Sequence, residues 1–301
     1  MMGNNFDKIL EISKLALSEY LLPNGNFFTY RYLPKRSDIE VIALSITSEA
    51  LGIDSENLLF SMLRAEYSRE FPNLTDRCNY NRRRKKLQDY IALVARPVSQ
   101  IISPDNNQFI IDPVPIPICQ NVRISRNSIC KEDTLEWPAR GYHASHKMHY
   151  YGFKMQLIIS KAGVPVPMGM TAANVHDVQF LNELNNIELS DCELIADKGY
   201  LSLPFQTTLF EQDRIRLITP LRSNMKKQTS LWNPSIRYIR KRVENLFSQL
   251  CDHLYIKMNY AKSLNWLFTR MCSIISSVVE LQLISLRNNR PINHLNHALA
   301  G

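Results

Sequence analysis

Three acidic residues constrain the fold of this chain because each lies at the edge of an apolar segment. Asp112 follows the apolar residues 109–111, and Asp197 closes the apolar run 194–196. Glu244 lies in a basic segment with helical spacing. A carboxylate beside a protein core is costly unless it is paired or binds a cation. Two strand ends and one helix can bring three such groups to a pair of divalent cations, an arrangement that suits phosphoryl transfer on nucleic acid.

Charge is unevenly distributed along the 301 residues. The formal net charge is +8, but residues 101–200 carry 8 basic and 11 acidic side chains, whereas residues 201–301 carry 14 and 5. An acidic middle followed by a basic final third favours a polyanionic partner such as DNA. A basic protein without any nucleic-acid role has the same composition, so charge alone leaves that alternative open.

Cysteine spacing and the chain termini indicate a cytoplasmic protein. None of the six cysteines forms a CxxC pair, so neither a zinc cluster nor a redox motif is predicted. The first residues lack the pattern of a signal peptide. The apolar stretch 271–286 contains Glu280 and several serines, and we interpret it as a buried helix and not as a membrane span.

Residues 1–100 are predicted to form a helical domain. Ser37 and Glu40 have the spacing of a capping box at the start of one helix. A tight turn at residues 71–73 separates two further helices, and the second begins with polar and basic residues, which matches a helix-turn-helix outline. We expect that helix to bind DNA, although a solvated basic face is the alternative. Its candidate DNA contacts are Arg77, Arg82, Arg83, Arg84, Lys85 and Lys86.

Residues 101–301 are predicted to form an α/β domain, with a mixed sheet flanked by helices and with the C-terminal helices included. Prolines occupy positions 113, 115 and 117, which predicts that the first strand ends just after Asp112. In the helix of Glu244, the residues Arg237 and Arg240 share one stripe with the carboxylate. Such arginines can hold DNA phosphates, and an ordinary Arg240–Glu244 surface pair is the alternative.

Several segments of the chain resemble the DDE transposases of bacterial insertion sequences, most closely the insertion sequence 982 family. The segments that carry the resemblance are residues 110–116, 151–154, 174–177 and 194–200, the stripe of Arg237, Arg240 and Glu244, and residues 71–74 and 81–84 near the N-terminus. The resemblance implies a ribonuclease-H-like catalytic domain in which Asp112, Asp197 and Glu244 are catalytic and bind two Mg²⁺ ions, for which Mn²⁺ is expected to substitute. It further implies binding to terminal inverted repeats and to target DNA, and we expect a homodimer in the DNA complex.

Two neighbouring positions have more than one interpretation. His176 and Asp177 can bind a metal, act as a general base or cap a helix, and the structural role is favoured. Tyr200 is interpreted as a packing or phosphate-contacting residue and not as a nucleophile.

For the whole chain, the alternatives to a DNA-cutting and DNA-joining enzyme are a ribonuclease-H-like nuclease and a catalytically inactive, transposase-derived DNA-binding protein.

Overall fold

The computed structural model describes residues 2–132, 137–143, 147–166, 168–187, 189–221, 234–258 and 260–299. The chain divides into two compact units. One is helical and combines residues 1–102 with residues 249–301, and the other, residues 103–248, contains the β-sheet.

The helical unit is built from six complete α-helices within the described ranges. They are α1 (Met2–Ala16), α2 (Asp38–Ala50), α3 (Glu56–Ala65), α4 (Arg77–Lys86), α5 (Gln88–Ile102) and α8 (Leu264–Arg287). The capping box predicted at the start of α2 is confirmed, because the Glu40 carboxylate accepts hydrogen bonds from the Ser37 backbone at 2.7 Å and from its hydroxyl at 2.9 Å. Helix α5 continues through Pro97 as far as Ile102.

Helix α8 forms the centre of the helical unit. It is the one helix in the described ranges that is long and apolar enough to span a membrane, and 94% of its most apolar window is buried inside the protein. Two of its serines bond to other helices of the unit: the Ser273 hydroxyl lies 2.8 Å from that of Ser45 on α2, and the Ser276 hydroxyl donates to the Ile91 carbonyl of α5. The expected buried helix is therefore confirmed.

The first break between the two units falls after Ile102, close to the expected residue 100, but α8 groups with the N-terminal helices. The sequence assigned everything from residue 101 to residue 301 to one catalytic domain, whereas residues 249–301 group with the N-terminal helices. The physical reason is that α8 is apolar on nearly all sides and needs several helices around it. It finds them in α1, α2 and α5.

A buried network of ion pairs crosses the interior of the helical unit. The Arg84 guanidinium on α4 contacts Glu49 at 3.0 Å and Glu56 at 3.3 Å, and Arg270 on α8 contacts Glu49 at 3.4 Å. The Arg84 and Arg270 side chains are almost fully buried. Charges removed from water in this way need their partners, so the network ties α2, α3, α4 and α8 together.

The second unit contains a six-stranded mixed sheet. Its strands are β1 (Gln108–Cys119), β2 (Ala139–His143), β3 (Met148–Ser160), β4 (Gly169–Ala172), β5 (Glu193–Ile195) and β6 (Arg216–Ile218). The order is β2-β3-β1-β5-β6, and β4 also pairs with β3. Strands β1, β2, β3 and β4 pair antiparallel, whereas β5 is parallel to both β1 and β6. Helices α6 (Leu203–Asp213) and α7 (Pro234–Asp252) follow in this part of the chain. This mixed sheet with helices confirms the expected fold class.

Strand β1 does not end after Asp112. It pairs with β3 as far as Cys119, through all three prolines. Successive residues of a strand direct their N–H groups to opposite sides, so prolines at every second position remove donors from one side alone. That side faces β5, which pairs with β1 only at residues 108–110. The prolines therefore remove no hydrogen bond from the pairing of β1 with β3.

The face of the sheet below β1 and β5 has a compact apolar core. A 3-10 segment, Asp177–Ile187, contributes Phe180, Leu181 and Leu184 to it, and α6 contributes Leu209. These side chains pack against Ile111 of β1 and residues of β5. The core fixes the 3-10 segment beside β1 and β5, the two strands from which Asp112 and Asp197 are positioned.

Replacement of Arg84 tests the buried network. We expect Arg84→Met to lower the free energy of unfolding by about 3–5 kcal/mol, because it leaves two buried carboxylates short of a partner. Arg82→Met on the same helix is the matched control, since Arg82 is exposed, and a change within about 0.5 kcal/mol is expected. Urea denaturation of both variants decides the question, and equal losses would contradict the assigned role of Arg84.

Candidate active site

Asp112 occupies the middle of the central strand of the sheet. Its Cα is in register with that of Leu157 on β3, and the preceding residue Ile111 is fully buried. The Asp112 side chain keeps 20% of its exposure, so one edge of the carboxylate reaches the surface. The strand pairing thus holds a charged group rigidly at the border of the core.

The parallel pairing of β1 and β5 brings Asp197 beside Asp112. The last paired residues are Ile110 and Ile195, and the two aspartates follow each of them by two positions. Asp197 is also held by a local bond, because the Gly199 N–H donates to its Oδ1 at 2.7 Å and starts the short 3-10 turn Lys198–Tyr200. The two carboxylates therefore lie side by side, just beyond the point where the pairing of β1 with β5 ends.

Helix α7 carries the third candidate. The helix buries one apolar stripe, which includes Ile236, Ile239 and Val243. From an adjacent stripe, Arg240 reaches Asp112, with its Nη2 3.6 Å from Asp112 Oδ1. Glu244 lies one helical turn further on and is exposed. The structure therefore pairs Arg240 with Asp112. The side chain of Arg237 lies outside the described residues.

Electrostatics connects these groups. Burial raises the pKa of Asp112 to about 7, the guanidinium of Arg240 acts in the opposite direction, and the charges of Asp197, Asp177 and Glu244 raise the pKa further. All three other carboxylates therefore contribute to the field at Asp112. Mutual repulsion of this kind favours binding of a cation.

The donor set suits a hard divalent cation, because every candidate ligand is a carboxylate oxygen. Within the described ranges, however, no three His, Cys, Asp or Glu side chains are gathered closely enough to hold a metal ion. Asp112 and Asp197 are brought together by the strand register, and Glu244 is brought to the same region by α7. To bind an ion, the side chains of these carboxylates would have to move closer together.

Asp177, for which the sequence favoured a structural role, lies close enough to the candidate site for its charge to act on Asp112. Its Oδ1 accepts a hydrogen bond from Lys154 Nζ at 2.5 Å, and its charge is felt at Asp112. Lys154 and Gln156 were missed by sequence reasoning. The signal that identifies them is two polar residues at alternate positions of β3, a strand that is otherwise apolar and buried there. His176, in contrast, is exposed.

Tyr200 is a buried structural residue. It is fully shielded from solvent, its hydroxyl donates to Gln156 Oε1 at 2.5 Å, and burial together with the nearby carboxylates raises its pKa far above the ordinary value. A phenol in this environment stays protonated and inaccessible. The interpretation of Tyr200 as a packing residue agrees with this geometry.

The candidate DNA contacts on α4 have different environments in the helical unit. Arg84 points inward to Glu49 and Glu56, and Arg83 is paired with the buried Asp38 at 2.5 Å. Neither guanidinium is available for DNA phosphates, which corrects the expectation for these two residues. The reason is that both cations are paired with carboxylates inside the helical unit. Arg82 and Lys86 are exposed, and Arg77 and Lys85 are half-buried.

The raised pKa of Asp112 predicts a pH-dependent stability in metal-free protein. The unfolded chain releases this proton near pH 4 and the folded protein near pH 7, so the free energy of unfolding falls as pH rises through that window. Asp112→Asn removes the effect. We expect it to stabilise the protein at pH 8 by up to about 4 kcal/mol and to leave it nearly unchanged at pH 4. Denaturation at both pH values, with exposed Asp105→Asn as control, tests this; a pH-independent difference would contradict it.

A family profile and a solved structure both match this chain. A family profile described as a transposase DDE domain matches residues 104–264, more than half of the chain. No curated protein matches the chain significantly. A solved structure of piggyBac transposase in a synaptic complex with hairpin DNA matches with 11% sequence identity and a TM-score of 0.44, covering 98% of this chain and 76% of that one. The profile match spans β1, β5 and α7, and on its strength the chain belongs to the DDE transposase family.

Proposed function

We propose that this transposase binds the terminal inverted repeats of an insertion sequence and catalyses metal-dependent DNA strand cleavage and strand transfer. The observation that carries the proposal is the meeting of Asp112 and Asp197 at the end of the β1–β5 pair, with Arg240 in contact with Asp112 one turn from Glu244. Origin in the insertion sequence 982 family, action in the cytoplasm and a homodimer on DNA are part of the same proposal.

Asp112, Asp197 and Glu244 would hold the divalent cations. Mg²⁺, or Mn²⁺ in its place, supplies charge that stabilises the transition state of phosphoryl transfer and activates water or a DNA 3′-hydroxyl. The protein contributes fixed positions for the carboxylates: Asp112 on β1, Asp197 two residues after the end of β5, and Glu244 on a helix anchored by its apolar stripe. Rigid strand and helix positions hold ligands more accurately than loops do.

Arg240 supplies positive charge beside the carboxylates. In the metal-free protein its guanidinium partly offsets the charge of Asp112 at 3.6 Å. A guanidinium there is also well placed for a DNA phosphate, because its planar N–H groups match phosphate oxygens. We therefore assign Arg240 to the positioning of the scissile strand. Arg237 would extend the same helical stripe.

The helical unit is our candidate for recognition of the DNA end. Side-chain burial restricts the contacts on α4 to Arg77, Arg82, Lys85 and Lys86. The Lys86 ammonium lies 3.8 Å from the centre of the Phe28 ring, which holds it at the surface of the unit. The helix therefore divides its basic residues between an interior set that stabilises the fold and an outer set suited to phosphates.

Two alternative functions are a nuclease that cuts DNA without joining it and a catalytically inactive DNA-binding protein. A labelled, pre-cleaved repeat end with a free 3′-hydroxyl, incubated with a plasmid and Mg²⁺, separates the three. Joined products support the transposase. Cleavage of an uncut end without joined products indicates the nuclease, and DNA binding without either reaction indicates the inactive protein.

Charge-neutral replacements test the carboxylates. We expect Asp112→Asn, Asp197→Asn and Glu244→Gln each to reduce cleavage by about 10²- to 10³-fold or more, because each removes a negative charge from the cation site with little change in volume. DNA affinity should be nearly unchanged. Asp105→Asn, an exposed aspartate in the same unit, is the control. A variant that cleaves at the normal rate removes its residue from the proposed site.

Salt dependence tests the outer basic residues of α4. We expect the double replacement of Arg82 and Lys85 by alanine to weaken DNA binding and to flatten the plot of log affinity against log salt by roughly two units, since each phosphate contact contributes about one. The paired replacement of Lys8 and Lys14 on α1 is the control for net charge. If both double variants change the slope equally, α4 has no special part in DNA binding.

A further inference from the structure

Four polar side chains form a continuous hydrogen-bonded network beside the candidate active site. Their order is Lys154, Asp177, Gln156 and Tyr200. Lys154 and Gln156 lie on β3, Asp177 opens the 3-10 segment Asp177–Ile187, and Tyr200 ends the turn that follows Asp197. The network therefore connects two other parts of the chain to the turn that directly follows the candidate metal ligand Asp197.

Lys154 fixes the orientation of Asp177. Its ammonium donates to Asp177 Oδ1 and to the Val175 carbonyl, each at 2.5 Å. The lysine side chain keeps only 13% of its exposure and the aspartate 22%. A half-shielded ion pair with a second anchor on the backbone holds the carboxylate in one orientation.

Gln156 links Asp177 to Tyr200. The completely buried amide accepts a 2.5 Å hydrogen bond from the Tyr200 hydroxyl through Oε1, and its Nε2 contacts Asp177 Oδ1 at 3.4 Å. Both ends of the amide are used, so a flipped amide would lose both contacts. The position of the Tyr200 ring is thus coupled to the position of the Asp177 carboxylate.

The second oxygen of the Asp177 carboxylate, Oδ2, and the Asp197 carboxylate both lie close to Gly199. A Cβ placed on Gly199 would lie 3.2 Å from Asp177 Oδ2 and 2.9 Å from Asp197 Oδ1. The two carboxylates therefore approach the same point so closely that a methyl group there would displace one of them. Asp197 Oδ1 is also the oxygen that accepts the Gly199 N–H, so the turn, the glycine and the two carboxylates are one packed unit.

We propose that Asp177 is a positioning residue for Asp197, acting through Gln156 and Tyr200 and through direct packing on Gly199. The inference rests on the proposed function, because it assigns Asp197 to the cation site. The Asp177 carboxylate is held by Lys154 and by Gln156, so the geometry gives it a positioning role. Outer-shell partners of this kind orient ligands, and their loss commonly weakens metal binding 10- to 100-fold.

The test measures Mn²⁺ binding to the full chain by the electron paramagnetic resonance signal of free Mn²⁺, with DNA cleavage as a second readout. We expect Asp177→Asn and Tyr200→Phe each to weaken Mn²⁺ binding about tenfold, with DNA affinity unchanged. The double variant should be no weaker than the more affected single variant, because both replacements break one network. Asp105→Asn, an exposed aspartate outside the network, should bind as the wild type does.

Gly199→Ala provides an independent test that changes no charge. The added methyl group should separate the two carboxylates and reproduce the loss of Mn²⁺ affinity seen in Asp177→Asn. The φ angle of Gly199 is one that alanine adopts, so a loss would come from the side-chain contact and not from backbone strain.

Three results would overturn the inference. They are normal Mn²⁺ affinity in Asp177→Asn, additive losses in the double variant, and losses of DNA affinity that parallel those of Mn²⁺ affinity. Additive losses would mean that Asp177 acts without Tyr200, and parallel losses would mean a general structural role. Failure of the wild-type protein to bind Mn²⁺ and to cleave would instead overturn the proposed function, so the two failures are distinguishable.

Discussion

The pairing of β1 with its two neighbours is the constraint on which the candidate site depends. Strand β1 is parallel to β5 and antiparallel to β3, and only this arrangement places Asp112 beside Asp197 on one side and opposite Leu157 on the other. Hydrogen bonds of the ladder hold the two aspartates in a fixed register. Because one face of these strands is buried against the 3-10 segment and α6, a slip of one residue would expose the core.

Charge balance follows from that placement. Burial of Asp112 is unfavourable, and Arg240 compensates part of it from α7 while Lys154 compensates Asp177 from β3. The site thus contains carboxylates that repel one another and two cations that limit the repulsion. In a DDE transposase such an imbalance suits a protein that receives its remaining positive charge from bound metal ions.

The helical unit uses charge for a different purpose. Arg84 and Arg270 lie in its interior with Glu49 and Glu56, where each needs its partners. The run of five basic residues at 82–86 therefore combines two functions on one helix. Helical geometry decides the division, since positions 80 and 84 face inward while position 82 faces solvent.

The sequence by itself determined the elements and the candidate ligands. Apolar periodicity, the Ser37–Glu40 capping box and the carboxylates at the ends of apolar runs are local patterns, and local patterns are readable from one chain. Tertiary structure decided the partners. In the folded protein Arg84 is buried, β1 continues through its prolines, and α8 groups with the N-terminal helices. Lys154, Gln156 and Asp177 lie next to the turn that follows Asp197. Each of these outcomes depends on contacts between residues that are far apart in the sequence. Burial and strand register determine those contacts only when the whole fold is assembled.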